Sequence, residues 1–573
     1  MKLMKNLTVD WVADYLKSKG IDRVFLYPGG TIAPLINAFI DKDILIDVFK
    51  SEQGAGYAAL AYARVTGKTQ VCMVTSGPGV TNVISPLADA YYDSTPLLLI
   101  TGQIGTADLT IRKNVRQRGF QETPTIELVK PLSKYASCLL TEEQVYTDLP
   151  IAFNHTVDGR KGPSVIDFPM DIQRTEVSET PTIYNKVTNS LQALTLSFDA
   201  FKEVARYGEC SKRPVILLGQ GALSSGEFNL YIEVANKLNA IVVTSFLGIG
   251  SFDTNSDRCM GYIGHTGNQV ANHAVNECDF LLVLGARLDL RQTGTVVDEF
   301  AKNADIVWVD IDANELENPR VSVKWKIHLD VKKFCNGFLE VLDKSNTCAK
   351  DWHEGLLNLK KQKTDDVPNK ESNYIQPREL LDQISNAMNN DSTIVVTGVG
   401  CHQHWAARHL PYNPNLHAHM TSGGHGTMGY DLPSSIGAAM ACPEKTVLCV
   451  VGDGSLLMNI QELASLCERQ LNVKILVMNN SRLGIVSQFQ LITWGSDPTT
   501  GDFISPNFSE IAKGFGVPSK RVELMSSLYS QVDWFWKESG PVLLEVMIDP
   551  DSDVTPMLLA GQNLGEMWEG RIS

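Results

Sequence analysis

Two polar residues, Asp453 and Asn480, stand directly after two apolar runs of the sequence. The first run leads into Gly452-Asp453-Gly454-Ser455 and the second into a pair of asparagines. Their separation suits one strand–helix–strand crossover, so both are expected at carboxyl ends of parallel strands, where open α/β sheets bind ligands. A carboxylate and an amide oxygen suit Mg²⁺, which keeps positions open for phosphate oxygens, and glycines let backbone approach a diphosphate. Each motif alone is also a common turn. Together they predict a magnesium-diphosphate site.

A second candidate for chemistry is Glu52. It follows a strand-like run, Ile44–Phe49, and precedes a small-residue segment, Gly54–Arg64, that is predicted to be a tightly packed helix. A lone glutamate is usually a solvated surface residue. At the mouth of a tightly packed helix, however, partial desolvation would raise its pKa toward neutrality. Such a carboxyl group can exchange a proton with a ring nitrogen.

These residues need parallel sheets to position them. Short β-branched runs alternate with helical patterns in three successive blocks, which predicts an α/β protein with three doubly wound parallel-sheet domains. The predicted domains are residues 1–178, 195–345 and 372–573, joined by polar linkers at Val177–Ser197 and Ser345–Gln376. The predicted strands are Gln70–Ser76, Pro96–Gly102, Pro214–Gly219, Ala240–Phe246, Asp279–Gly285, Asp305–Asp312, Thr393–Gly398, Thr446–Gly452, Val473–Asn480 and Pro541–Ile548.

Composition excludes several classes of protein. The 573 residues carry a net charge of −15, which argues against a nucleic-acid partner because phosphate binding needs basic patches. Eleven scattered cysteines without a C-x-x-C pair fit reduced thiols rather than disulfides or a zinc site. Neither an apolar leader nor an apolar run long enough to span a membrane is evident, so we expect no membrane association and a cytoplasmic location.

Taken together, the motifs resemble those of the thiamine-diphosphate enzyme family, in its FAD-containing acetohydroxyacid synthase (acetolactate synthase) branch. The resemblance covers nearly the whole chain and adds several motifs to those above. In chain order these are Tyr27-Pro28-Gly29-Gly30, Thr75-Ser76-Gly77-Pro78-Gly79, Phe120-Gln121-Glu122, Gly285-Ala286-Arg287 and Thr421-Ser422-Gly423-Gly424.

The resemblance implies a thiamine diphosphate site in the third block. Asp453, Asn480 and the backbone carbonyl of Arg482 would bind Mg²⁺, and Met428 would hold the cofactor bent. Glu52 of a partner subunit would hydrogen-bond the pyrimidine ring, which implies a homodimer or tetramer with active sites between subunits. The remaining residues implied to line the cofactor are Val399, Gly400, His402, Gly426, Gly452, Gly454, Ser455, Ile485 and Val486.

The resemblance also implies residues around the reacting atoms and a flavin site. Near the substrates it places Gly29, Gly30, Gln121 and Lys134 as catalytic residues and Phe120, Phe489 and His425 as substrate contacts. The alternative is a simple turn for Gly29 and Gly30, a loop polar residue for Gln121 and a surface charge for Lys134. The second block would bind a structural FAD, although its G-x-G-x-x-G motif is incomplete. For Asp310 and Asp330 the alternative is simple capping of strand ends. The implied flavin residues are Arg160, Gly219, Gly221, Gly264, Gly285, Arg287, Asp310, Ile311, Asp330 and Val331.

Several positions depart from the branch's pattern, including Phe489 for a tryptophan, Ile485 for a methionine, and His425, His265 and Cys401 for other residues. Four hypotheses therefore stand. The first is transfer of a two-carbon unit from pyruvate to a second small carbonyl, giving 2-acetolactate when the acceptor is pyruvate. The second has the same donor but a larger ketone acceptor, such as a nucleotide-linked keto-sugar. The others are a flavin-dependent pyruvate oxidase and a non-catalytic subunit, and the intact Glu52 argues against the latter.

Overall fold

The structure of the chain is a computed structural model. It describes residues 6–111, 114–177, 197–343, 346, 349–414, 419–497 and 504–570. Within these ranges the strands form three six-stranded sheets flanked by helices, which confirms the predicted fold class. No helix in these ranges is long and apolar enough to cross a bilayer.

The first sheet has the order β2-β1-β3-β4-β6-β5, and its strands pair in parallel. The central strands are apolar and buried on both faces, as expected for a sheet covered by helices. The strands are β1 Arg23–Leu26, β2 Leu45–Val48, β3 Gln70–Val74, β4 Leu97–Gln103, β5 Tyr135–Cys138 and β6 Ser164–Pro169. The helices are α1 Thr8–Ser18, α2 Ala33–Asp41, α3 Glu52–Thr66, α4 Pro78–Tyr92, α5 Thr106–Ile111, α6 Thr125–Val129, α7 Glu142–His155 and α8 Met170–Gln173.

The second sheet has the order β12-β11-β10-β7-β8-β9, again with parallel pairing. Apolar clusters cover both of its faces. The strands are β7 Pro214–Leu218, β8 Ile241–Thr244, β9 Cys259–Tyr262, β10 Phe280–Leu284, β11 Asp305–Asp310 and β12 Trp325–His328. The helices are α9 Phe198–Cys210, α10 Gln220–Ser225, α11 Phe228–Leu238, α12 Gln269–Glu277, α13 Leu290–Thr293, α14 Ala313–Glu317, α15 Val331–Val341 and α16 Lys350–Gln362.

The third sheet has the order β14-β13-β15-β16-β18-β17. Adjacent positions in this order place the ends of β15 and β16 side by side. The strands are β13 Thr393–Thr397, β14 His419–Met420, β15 Thr446–Gly452, β16 Val473–Asn479, β17 Ser519–Val522 and β18 Val542–Met547. The helices are α17 Pro377–Ala387, α18 Cys401–His409, α19 Asp431–Ala441, α20 Asp453–Met458, α21 Glu462–Arg469, α22 Gly484–Trp494, α23 Phe508–Gly514 and α24 Met525–Lys537.

The chain folds into two compact units. The first unit holds the first sheet and comprises Met1–Gln192, Ser422–Pro443 and Met458–Val473; the second comprises Ala193–Thr421, Glu444–Leu457 and Lys474–Ser573. Helices α19 and α21 therefore belong to the first unit, where α19 packs along α3.

One predicted linker is wrong in part. Residues 345–376 contain α16, whose Leu356 is buried in the apolar cluster of the second sheet, with Trp352 packed against the same cluster. The helix was not recognised from the sequence because the segment is rich in lysine and has only one narrow apolar face. Most of the other predicted linker, residues 178–196, lies outside the described residues.

Candidate functional site

Asp453 and the residues around Asn480 come together at the ends of β15 and β16. The Asp453 side chain is buried, and the backbone N–H of Ser481 and the hydroxyl of Ser505 both donate to it. Burial is the main cause that raises the pKa of Asp453 to about 6. A buried carboxylate at the turn that carries Asn480 has the character of a hard-cation site.

The turn after β16 is fixed by its own polar side chains. Asn479 donates to the buried Glu545 at 2.8 Å and accepts from Ser481 N–H at 3.0 Å. Asn480 Oδ1 accepts from the backbone N–H of Arg482 at 3.2 Å. The Arg482 guanidinium lies 2.9 Å from Asp551, so this side chain is engaged away from Asp453. In the described ranges no group of three or more His, Cys, Asp and Glu side chains is placed to bind a metal. An ion here would therefore depend on amide and backbone oxygens.

His402 provides an independent sign of a polar ligand. It lies in the first turn of α18, and a Cβ added at Gly452 would meet its ring at 2.8 Å. Burial lowers the pKa of His402 to about 3, so the ring is neutral, and its Nε2 is buried without a partner among the described residues. Orphaned buried polar atoms are rare because they are costly. A bound group with phosphate oxygens would satisfy this atom. Gly400, Val399, Gly454 and Ser455 flank the same strand ends.

Glu52 lies where the sequence predicted, at the start of a tightly packed helix. The structure begins α3 at Glu52 itself, and Ser51 caps the helix by accepting from Gly54 N–H at 2.9 Å. The Glu52 side chain is only 8% exposed and accepts from Asn82 Nδ2 at 3.1 Å. A Cβ at Gly56 would lie 2.7 Å from Pro86, so the small residues do serve close packing.

Five other residues that were predicted near the substrates lie in the first unit, and their surroundings range from tightly packed to exposed. A Cβ at Gly29 would lie 2.3 Å from Thr75, whereas Gly30 faces open space. Gln121 has a positive φ of 61°, and its backbone packs on Gly77. Phe120 is 86% exposed. Lys134 donates to the carbonyl of Asp158 at 2.5 Å, a contact that serves the local fold. That contact does not test its predicted role.

The loop Ser422–Met428, which carries Gly426 and Met428, is held by residues that the motifs do not reveal. Ser422 donates to the buried Asp89 and accepts the backbone N–H groups of Gly426 and Thr427 at 2.9 Å each. Asp93 accepts from the N–H groups of Gly423 and Gly424. His425 lies exposed and stacks on Tyr92. Asp89 stands among apolar residues in the second half of α4, and this was the signal that could have indicated its buried role.

The predicted flavin glycines meet at the carboxyl ends of β7 and β10. Gly221 N–H donates to the carbonyl of Gly285 at 2.9 Å, and a Cβ at Gly219 would lie 2.1 Å from that same oxygen. Gly264, with φ 112°, packs on the backbone of Arg291 in the same way. Close backbone packing is therefore a sufficient reason for glycine at these positions.

The polar flavin candidates also have structural partners. Asp330 caps α15, which begins at Val331, by accepting from Lys333 N–H at 3.2 Å. Asp310 accepts from Asp312 N–H at 2.9 Å, Arg287 pairs with Glu315 at 3.1 Å, and Ile311 accepts from His328. In the first unit, Arg160 donates to Ser94 at 2.9 Å. These local contacts do not test the flavin site, which therefore stays a prediction.

Helix α22 presents the residues predicted to select the acceptor. Phe489 is 41% exposed and stacks on His265, with ring centroids 5.6 Å apart. Burial is the main cause that lowers the pKa of His265 to about 4, so the stacked imidazole is neutral. Val486 on the same helix is also exposed, and Ile485 packs against the core of the third sheet. Two residues that depart from the branch's pattern are thus in direct contact.

Comparisons with known proteins agree with this geometry. Residues 7–128, 202–338 and 398–546 match the N-terminal TPP binding, central and C-terminal TPP binding domains of thiamine pyrophosphate enzymes. The acetolactate synthase isozyme 2 large subunit of Escherichia coli is 33% identical over 98% of this chain and 98% of its own length. The acetolactate synthase large subunit of Lactococcus lactis is 34% identical over 97% and 95%, and the chloroplastic acetolactate synthase 1 of rice is 33% identical over 97% and 87%. The chain therefore belongs to the thiamine pyrophosphate enzymes, in the family of the acetolactate synthases.

Proposed function

We propose that this chain is an acetolactate synthase that uses thiamine diphosphate and Mg²⁺. It decarboxylates pyruvate and joins the remaining two-carbon unit to an acceptor carbonyl; with a second pyruvate the products are 2-acetolactate and CO₂. The observation that carries this proposal is the buried Asp453 carboxylate facing the turn of Asn480 at adjacent strand ends. This is the arrangement that a metal-bound diphosphate requires.

The chain's own residues would hold and orient the cofactor. Asp453, Asn480 and the Arg482 carbonyl would bind the metal, and the unpartnered Nε2 of His402 would contact the cofactor beside them. When bound, thiamine diphosphate supplies the carbon nucleophile and stores the electrons released as CO₂ leaves. The protein contributes orientation and a dry, preorganised environment.

Glu52 would hold a proton against a ring nitrogen of the cofactor. Its carboxylate is buried at the start of α3, where Asn82 already supplies one hydrogen bond to it. We propose that the enzyme is a homodimer or tetramer in which Glu52 of one subunit serves the cofactor of another.

A structural FAD and a cytoplasmic location complete the proposal. The carboxyl ends of β7, β10 and β11 bring Gly219, Gly285 and Ile311 to one edge of the second sheet, where doubly wound sheets bind dinucleotides. Arg160 would contribute a charge-assisted contact to the flavin. The relatives are named acetolactate synthases, so a keto-sugar acceptor is not favoured.

The test is product analysis with purified protein, thiamine diphosphate, Mg²⁺ and pyruvate, alone and with candidate ketones. We expect 2-acetolactate without hydrogen peroxide. Glu52→Gln should lower kcat by about 10²–10⁴-fold, the usual contribution of a positioned proton donor or acceptor. Glu127→Gln, a change at an exposed glutamate of α6, is the control. Full activity in Glu52→Gln would remove the proton-exchange role, and peroxide release would favour the oxidase.

A further inference from the structure

Glu462, the first residue of α21, is a buried carboxylate that no motif of the family resemblance includes. Its side chain is 0% exposed. It accepts from the backbone N–H of Lys50 at 3.1 Å, from the Ser51 hydroxyl at 3.1 Å and from the Ser465 hydroxyl at 2.6 Å. Two of these three donors lie on the segment immediately before Glu52.

The contact is tight enough to define where that segment lies. A Cβ added at Gly54 would come within 2.1 Å of Glu462 Oε1. Ser51, which Glu462 contacts, is also the residue that caps α3 by accepting from Gly54 N–H. The Glu462 carboxylate thus contacts the chain on both sides of Glu52: Lys50 and Ser51 before it, and Gly54 after it.

Two residues just before Glu462 also donate hydrogen bonds to the segment around Glu52. Asn459 Nδ2 donates to the Gln53 side chain at 3.3 Å and to the carbonyl of Gly429 at 2.8 Å. Gln461 Nε2 donates to the Ser51 hydroxyl at 3.3 Å. Burying a carboxylate is costly unless donors compensate it, and here two of the three donors belong to the Glu52 segment. That cost is explained if the carboxylate is there to fix the segment.

We propose that Glu462 is a positioning residue, which fixes the Glu52 carboxylate by holding residues 50–54 through the hydrogen bonds from Lys50 N–H and the Ser51 hydroxyl and through one close contact at Gly54. The inference rests on the proposed function, in which Glu52 exchanges a proton with the cofactor. Glu462 itself touches neither the substrate nor the cofactor in this scheme.

The first arm of the test compares Glu462→Ala with Glu462→Gln. In Glu462→Ala we expect kcat to fall about 10²-fold with KM for pyruvate within about threefold, because a small misplacement of a catalytic group costs this much. Amide hydrogen exchange of residues 49–55, measured without cofactor, should become faster. Glutamine should restore both, since its oxygen can accept from Lys50 and Ser51 while its NH₂ donates to Ser465.

Two matched controls isolate the effect. Glu468 lies on the same helix with its side chain 57% exposed and pairs with the Lys50 side chain at 2.6 Å, so Glu468→Gln should change neither readout. A second perturbation is Gly54→Ala, whose added methyl group would push the Glu462 carboxylate aside without removing it. This variant should lower kcat by at least about tenfold. Gly355→Ala, at a helical glycine with open space around it, should have no effect.

The outcomes separate this inference from the proposed function. If wild type does not convert pyruvate, the proposed function fails, whereas the exchange of residues 49–55 still reports on Glu462. If wild type is active, unchanged kcat or unchanged exchange in Glu462→Ala overturns the positioning role. Should Glu462→Ala not fold, Gly54→Ala decides: a normal kcat in that variant overturns the proposal.

Discussion

Replacing Asp89 by asparagine should flatten the pH dependence of stability. Asp89 is fully buried in α4, and burial, followed by the nearby charge of Asp93, raises its pKa from the ordinary value of 3.8 to about 7. Because the folded-state pKa is raised, the folded chain binds the extra proton. The stability from this group is therefore complete below about pH 4 and is lost as pH rises through about 7.

The size of the effect follows from these two values. Between about pH 6 and pH 8 the wild-type chain should lose about 1.4 kcal/mol of stability through Asp89, which equals one pKa unit of differential proton binding. Asparagine carries no titrating proton, and its amide oxygen can still accept from Ser422. The loss should therefore disappear in Asp89→Asn.

The assay is urea unfolding at the two pH values, read by hydrogen exchange of peptides from the first unit so that other transitions do not interfere. The quantity compared is the pH-dependent change in wild type minus that in the variant. Asp108→Asn, a change at an exposed carboxylate of α5, is the control. Equal pH dependence in wild type and Asp89→Asn would refute the argument, because Asp89 would then titrate alike in the folded and unfolded chain.

Three further predictions concern the second unit. Asp453→Asn should abolish Mg²⁺-dependent binding of thiamine diphosphate in titration calorimetry, and unchanged affinity would argue against a metal at this position. Phe489→Trp should fill space beside His265 and move the product ratio toward 2-oxobutyrate as acceptor when it competes with pyruvate; an unchanged ratio would show that this position does not set acceptor choice. Arg408→Leu removes the guanidinium that pairs with the buried Asp366 at 2.9 Å, leaving His409 as the remaining partner, and should lower the free energy of unfolding by about 3–5 kcal/mol; a loss below about 1 kcal/mol in urea unfolding would contradict this.

Sequence patterns predicted the features that depend on local order along the chain. The buried strands β15 and β16 end within a residue of their predicted bounds, because continuous apolar runs followed by glycine or asparagine admit few alternatives. The small residues after Glu52 likewise predicted a tightly packed helix. Helix α16 was missed because its apolar residues are few and lysines surround them.

Contacts between distant segments could not be predicted in this way. Glu462 and Lys50 are far apart in the sequence, and nothing near Glu462 distinguishes it from a surface glutamate at the start of a helix. Asp330 is a second example, since its position after a strand fitted both a ligand contact and a cap, and only the structure shows that it caps α15. A side chain's partner is a property of the packed chain, which periodicity does not encode.

The composition of the first unit has a consequence for dissecting this protein. Helix α19, drawn from residues far along the chain, covers α3, and α21 contacts its beginning. A fragment that stops after β6 would therefore expose the small-residue face of α3 to water and leave Lys50 and Ser51 without their acceptor. Protein engineers who exchange modules between relatives should transfer residues 422–443 and 458–473 together with the amino-terminal segment, since cutting between sheets would separate α19 from α3.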